Sequence, residues 1–378
     1  MNRAILIICV VLTHLAVGRE VRVNLYSDVK VNTAILKVEK GSYGIYQGGK
    51  EVVDVDHRSL MTVSISKGYL EVKANGEARE MTGAFTIETE LPNSVIRIRV
   101  KDDERLYRGS VRVQVLQGRL YLINIVELDD YVAGVVESEG GHEVHPEYLK
   151  AQVLIARTYA LKHLNSYSRQ GYDLNDGVDH QVYHSMAYAK NAYRIYKAVL
   201  MTKGEVLVDE QSKFLTAAYH SNSGGETCNS EDVWSSALPY LRAVEDTFSR
   251  DMPHYAWTTE IDRIEWTKYI KDVCPNLHPD SIYAYLDFEQ DQRWLRLPCS
   301  DQSIRMKDLR SHFGLYSTFF DVTTKGNTVY LSGRGFGHGV GLSQEGAMKM
   351  AELGYRYREI LLHYYREARI EELSILMF

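Results

Sequence analysis

A chain of 378 residues, 45% apolar and 25% charged, has an ordinary globular composition and enough length for two hydrophobic cores. Its net charge of −6 gives no electrostatic footprint for nucleic acid, so no partner of that kind is expected. The 27 tyrosines provide flat surface with a polar tip, which suits sugar rings and equally suits strands and cores.

Residues 1–18 have the pattern of an export signal. Arg3 gives a short positive start, Ala4 to Leu12 is almost wholly apolar, and Ala16-Val17-Gly18 supplies small residues for cleavage. The apolar run is short for a membrane span, although an uncleaved anchor is the alternative. An exported protein of the periplasm or cell envelope is the expectation. Beyond the signal stand Cys228, Cys274 and Cys299. In an oxidising compartment Cys274 and Cys299 can pair and leave Cys228 over; free cysteines packed as small hydrophobes are the alternative.

Residues 19–126 contain short runs rich in Val, Ile, Thr and Tyr, broken by turn residues at Gly48-Gly49, Asn75-Gly76, Pro92-Asn93 and Gly118. Ile96 to Val100 and Val111 to Val115 alternate apolar and polar residues, as a strand with one wet face does. The expectation is an antiparallel β-rich support or docking region. From Asp129 the pattern turns helical. Pro146 suits a first helical position, and Leu149, Val153, Ala156, Ala160 and Leu164 form an apolar stripe that predicts a helix to about Ser168. The carboxylates before it, Glu139 among them, read as a glycine-relaxed turn, and Lys150 and Arg157 share an azimuth beside the stripe.

A further helix is predicted over Ala187 to Met201, then strands over Glu205 to Val208 and Lys213 to Tyr219. Residues 231–320 are less informative and hold Trp234, Trp257, Trp266 and Trp294, which fit either a glycan groove or buried anchors. Thr328 to Ser332 is a predicted strand, Gly333 to Ala347 a glycine-rich run leading into a helix to Gly354, and Leu361 to Tyr365 belongs to a last helix. The glycine-rich run lacks the Gly-Lys-Ser/Thr ending of a phosphate loop. Together these elements predict an α+β protein, with a mixed α/β domain over 127–378 following the β-rich region.

Three motifs carry a resemblance. They are Asp130-Tyr131, Gly134-Val135-Val136, Ser138-Glu139 and Leu149-Lys150-Ala151-Gln152 with Ala156 to Ala160; Tyr219-His220-Ser221-Asn222-Ser223-Gly224-Gly225-Glu226-Thr227; and Gly333 to Gly341 with Ser343, Gln344, Gly346 and Ala347. In these the chain resembles the stage II sporulation protein D family of peptidoglycan lytic transglycosylases, over roughly 127–365. Gly140 and Gly141 stand where relatives more usually carry Met-Pro. The resemblance implies Glu139 as the acid that protonates a leaving glycosidic oxygen, the role for which enzymes use a carboxylic acid of raised pKa. It further implies that Lys150, Arg157, Tyr219, His220, Ser223, His338 and Gln344 bind substrate. An arginine fork would suit the lactyl carboxylate of muramic acid on denuded strands, although a salt bridge from Arg157 to Glu139, Asp129 or Asp130 is the competing use.

Some relatives carry a Cys/His cluster before a Gln-Val-Tyr segment. The corresponding Asp176 to His184 has no cysteine, and Gly177 argues against the helix that would bring His180 and His184 together, so no metal and no cofactor is expected. Implied partners are peptidoglycan glycan strands and an N-acetylmuramoyl-L-alanine amidase. The implied reaction is cleavage between N-acetylmuramic acid and N-acetylglucosamine to leave 1,6-anhydro ends, in septal or sporulation wall remodelling; a non-catalytic amidase enhancer is the alternative.

Overall fold

The computed structural model describes residues 19–55, 59–66, 68–89, 91–140, 144–186, 192–300 and 302–376. The expected export signal lies outside them. The amino-terminal part is β1 (Glu20–Leu25), β2 (Thr33–Lys40), β3 (Tyr43–Gln47), β4 (Lys50–Val55), β5 (Leu60–Ser66), β6 (Tyr69–Ala74), β7 (Glu77–Met81), β8 (Phe85–Glu88), β9 (Val95–Val100), β10 (Asp103–Arg108), β11 (Ser110–Leu116) and β12 (Arg119–Glu127). They form two sheets, β1-β12-β11-β8-β3-β4 and β10-β9-β2-β5-β6-β7, antiparallel throughout. The turn at Asn75-Gly76 has both residues at positive φ, 52° and 83°, which matches the twist of a two-residue hairpin. This is the antiparallel β-rich region the alternation predicts, within an α+β protein.

Helix α1 (Leu128–Gly140) begins directly after β12. Its Tyr131, Val132, Val135 and Val136 join the core of the two sheets, so one core runs unbroken from strands into helices. Valine is a modest helix former, and burial of this face overrides that preference. Helix α2 (Pro146–Lys162) starts at Pro146 as the sequence predicts and stops at His163, earlier than Ser168, because Asn165 takes a left-handed conformation at φ 65°. It is also buried more widely than one stripe would make it. Leu149, Val153, Ala156 and Ala160 face the sheet core, while Tyr148, Ala151, Leu154 and Ile155 face a second core. A helix apolar nearly all round is a central one.

Helix α3 (Ala192–Met201) packs on α1 and α2, and the part of its predicted span before residue 192 lies outside the described residues. The short strand β13 (Leu174–Asn175) joins β1 in parallel. Next come β14 (Glu205–Val208), β15 (Tyr219–His220) and the single turn α4 (Ser230–Val233). Of the predicted strand at Lys213 to Tyr219, Phe214 forms an isolated antiparallel bridge with Val208 and the end pairs in β15. A lobe with its own core follows: β16 (Ala256–Asp262), α5 (Arg263–Val273), β17 (Arg296–Cys299), β18 (Gln302–Arg305), α6 (Met306–Phe313), β19 (Phe319–Lys325) and β20 (Thr328–Arg334). Cys274 and Cys299 are joined in a disulfide inside this lobe, and Cys228 is free and buried. The chain returns through β21 (Leu342–Ser343), α7 (Gln344–Glu352), α8 (Tyr357–Tyr364), β22 (Arg369–Glu372) and α9 (Leu373–Leu376). Helices α7 and α8 line the second core against α2.

Candidate active site

Glu139 sits in the last turn of α1 and not in a free turn before α2, as the sequence reading had it. The helix persists because its apolar residues are captured by the sheet core, and Asp129 and Asp130 favour its positive end. Asp130 is itself engaged, accepting from Arg108 at 2.7 Å and from the Tyr196 hydroxyl at 2.6 Å. Along α1 runs the segment 176–186. Its Val182 amide donates to Glu139 Oε1 at 2.8 Å, its His184 amide approaches Ser138 Oγ at 3.3 Å, and Gln181 Oε1 lies 3.3 Å from the Tyr131 hydroxyl. Gly134 makes this approach possible: a Cβ there would stand 2.5 Å from the Ser185 carbonyl oxygen.

The segment is fixed at both ends. Asp176 is buried and accepts from the Tyr26 and Ser27 amides and from Arg105, at 2.6, 2.9 and 2.8 Å. Tyr183 donates to Asn124 at 3.0 Å. The His180 ring is held between the Tyr159 and Tyr167 hydroxyls, at 3.3 and 3.1 Å, so it serves as a wedge under the segment. Among the described residues no group of three metal-ligating side chains occurs.

Three further elements reach Glu139. Tyr219 of β15 places its side chain against the carboxylate; burial, followed by the Glu139 charge, pushes its hydroxyl well above the usual tyrosine range. Tyr148 of α2 is fully buried nearby, and burial likewise raises its hydroxyl. Gln344 opens α7, and its Nε2 lies 3.5 Å from the Glu139 carbonyl oxygen, at the limit of a hydrogen bond. The carboxylate is therefore half-buried among protonated phenols, with one backbone amide fixing one of its oxygens.

The two glycine motifs pack against each other by backbone. β15 and β21 pair in parallel, Tyr219 with Leu342 and His220 with Ser343. Gly341, at φ +72°, leaves only 2.1 Å between an added Cβ and the Ala218 carbonyl oxygen. At Gly335, φ +81°, an added Cβ would stand 2.7 Å from the Gly224 nitrogen and 2.8 Å from the Asn222 carbonyl oxygen. Beside this junction the His338 ring lies 5.5 Å from that of His220 and 5.4 Å from that of Trp234. Burial, then the charge of Arg310, lowers His338 to about 4, and burial lowers His220 well below its ordinary value, so both rings are neutral near pH 7.

The remaining sequence-predicted residues are used elsewhere. Lys150 pairs with Glu147 at 2.6 Å and lies over the Tyr357 ring. Arg157 is buried and points at the end of α3, donating to the Thr202 and Glu205 carbonyls at 2.8 and 3.1 Å and reaching Asp129 at 3.3 Å. Of the three carboxylates considered as partners for it, Asp129 is the one engaged. Seven residues on one azimuth separate these two cations by two helical turns, far enough to give them unrelated neighbours. Ser223 is fully buried, donating to Asp246 at 2.7 Å and lying 2.8 Å from the Ser249 hydroxyl, so its hydroxyl holds the turn together. Tyr148 and the Val182 amide were not foreseen: Tyr148 lies off the predicted stripe, and a backbone donor leaves no signature in side chains.

Comparison with known proteins identifies the family. The family model described as Stage II sporulation protein matches residues 116–208, which contain α1, α2 and the 176–186 segment. The stage II sporulation protein D of Bacillus amyloliquefaciens is 33% identical over 280 residues, covering 71% of this chain and 80% of that protein. The protein of the same name from Bacillus subtilis (strain 168) is 31% identical over 286 residues, covering 72% and 82%. An amidase enhancer of Bacillus subtilis (strain 168) is 29% identical over 287 residues, covering 61% of this chain and 39% of that protein. On this evidence the chain belongs to the stage II sporulation protein D family.

Proposed function

We propose that this protein is an exported lytic transglycosylase that cuts the glycan strands of peptidoglycan between N-acetylmuramic acid and N-acetylglucosamine. The observation that carries the reading is the Glu139 carboxyl, held by the Val182 amide and walled by Tyr148 and Tyr219. A group so placed gives its proton to the departing N-acetylglucosamine oxygen as the bond to C1 of the muramic residue breaks. The 6-hydroxyl of that muramic residue closes on C1 and returns its proton to Glu139. No water enters, and no second carboxylate is needed to activate one, unlike in inverting hydrolysis. Removal of stem peptides by an amidase would supply the denuded strands this cleft is expected to prefer.

A modulator of an amidase is the second reading, favoured by the relative named amidase enhancer. Digestion of amidase-treated peptidoglycan followed by mass analysis separates the two. Products one water lighter than reducing sugars, the 1,6-anhydro ends, are expected. Amidase stimulation with no cut in the glycan itself would favour the modulator.

A further inference from the structure

Two guanidinium groups of the 256–334 lobe stand beside the glycine junction without a carboxylate partner among the described residues. Arg293 donates to the Ser223 and Glu226 backbone carbonyls and lies 3.4 Å from the Thr318 hydroxyl, while its Nε is buried with no partner among the described residues. Glu226 lends it a carbonyl and not its carboxylate. Among the described residues the Arg310 side chain, on α6, makes one hydrogen bond, from Nε to the Leu315 carbonyl at 3.1 Å. Elsewhere in this neighbourhood the structure does pair its cations, as in Arg242 with Glu231.

Arginine stays charged at any ordinary pH, so two of them kept close and partly buried repel each other at a cost that an anion would remove. The mutual effect is visible: burial, then the Arg293 charge, lowers the Arg310 guanidinium. Position adds a second indication. Lys307 of α6 donates to the Val233 carbonyl at 2.9 Å, which docks this helix beside Trp234. The guanidinium of Arg293 lies over Gly339, within 3.2 Å of where a Cβ would be. Trp234 and His338 thus offer ring faces next to the cations, and β15 leads from His338 to Tyr219 and Glu139.

We propose that Arg310 and Arg293 form a subsite for a carboxylate borne on the sugar itself, the lactyl carboxylate of N-acetylmuramic acid, with Trp234 against the ring. The identity of the glycan rests on the transglycosylase reading. The anion role that the sequence suggests for Lys150 and Arg157 moves in this proposal to Arg293 and Arg310 of the 256–334 lobe.

Glu139→Gln protein, which under that reading leaves strands intact, is titrated with three probes: denuded strands, denuded strands with the lactyl acid reduced to the alcohol, and peptide-bearing strands, in which the lactyl group is an amide. Denuded strands should bind about tenfold more tightly than the other two, the size expected for one charge-assisted contact. Adding Arg310→Gln should abolish the preference while leaving affinity for reduced strands unchanged. Equal affinity for denuded and reduced strands, a preference that survives Arg310→Gln, or peptide-bearing strands that bind as tightly as denuded ones would overturn the subsite. If Arg310→Gln does not fold, rising salt decides in the unsubstituted chain: a charge-borne preference shrinks, and one that does not shrink refutes it. Glycan affinity and anhydro product formation are separate readouts, so either proposal can fail alone.

Discussion

The two halves of the candidate site are built in opposite ways. Around Glu139, side chains do the holding: a helix is captured by its apolar face, and a neighbouring segment is pinned through Asp176, His180 and Tyr183. Around His338 the close contacts are by backbone, Gly335 against Gly224 and Gly341 against Ala218, where an added Cβ would not fit, with the Ser223 hydroxyl tying the turn to Asp246. Side-chain packing tolerates substitutions of similar shape, whereas backbone-on-backbone contact tolerates almost none. The first half should therefore lose function before stability, and the second should lose stability first.

The largest effect on stability is expected at Gly341→Ala, where a methyl group meets the Ala218 carbonyl in a left-handed backbone. Denaturant unfolding should show a loss of about 3 kcal/mol or more. A loss below about 1 kcal/mol would mean the junction yields easily, and the contrast between the halves would fail. Arg157→Met comes next. It leaves the Thr202 and Glu205 carbonyls without their buried donor, and a loss of about 2 kcal/mol is expected from the same measurement. If substrate affinity falls with stability unchanged, Arg157 faces the glycan after all.

The smallest stability effect depends on pH. His338 is lowered in the folded chain from 6.5 to about 4, so on acidification the unfolded chain takes up its proton first. Its contribution is complete above pH 6.5 and is lost as the pH falls from 6.5 towards 4. Between pH 7 and 4.5 the unsubstituted protein should lose up to about 2 kcal/mol more than His338→Gln does, read from urea midpoints. Equal losses would show that this ring is not buried neutral.

Much of this site was legible in the sequence because its parts are local. Pro146 and the stripe from Leu149 marked α2, the glycine runs marked tight backbone, and the hairpin turns marked the sheets. What could not be read was direction across the fold. Lys150 and Arg157 share an azimuth, yet Lys150 pairs with the local Glu147 and lies over the Tyr357 ring while Arg157 reaches Thr202, and neither Tyr357 nor Thr202 is near in sequence. Glu139 looked like a turn residue because valines and glycines are weak helix formers, and the core that keeps them helical is assembled from strands spread between β1 and β12. The meeting of Trp234, His338 and Arg310 likewise depends on how α6 docks, which no short motif encodes.

The central claim is that Glu139 supplies the proton. Glu139→Gln keeps the side chain's shape and an oxygen for the Val182 amide, so its unfolding midpoint should stay within error of the unsubstituted chain. Its rate of 1,6-anhydro product release from amidase-treated peptidoglycan should fall by about a hundredfold or more. A folded Glu139→Gln protein that releases those products within a few-fold of the normal rate would contradict the account.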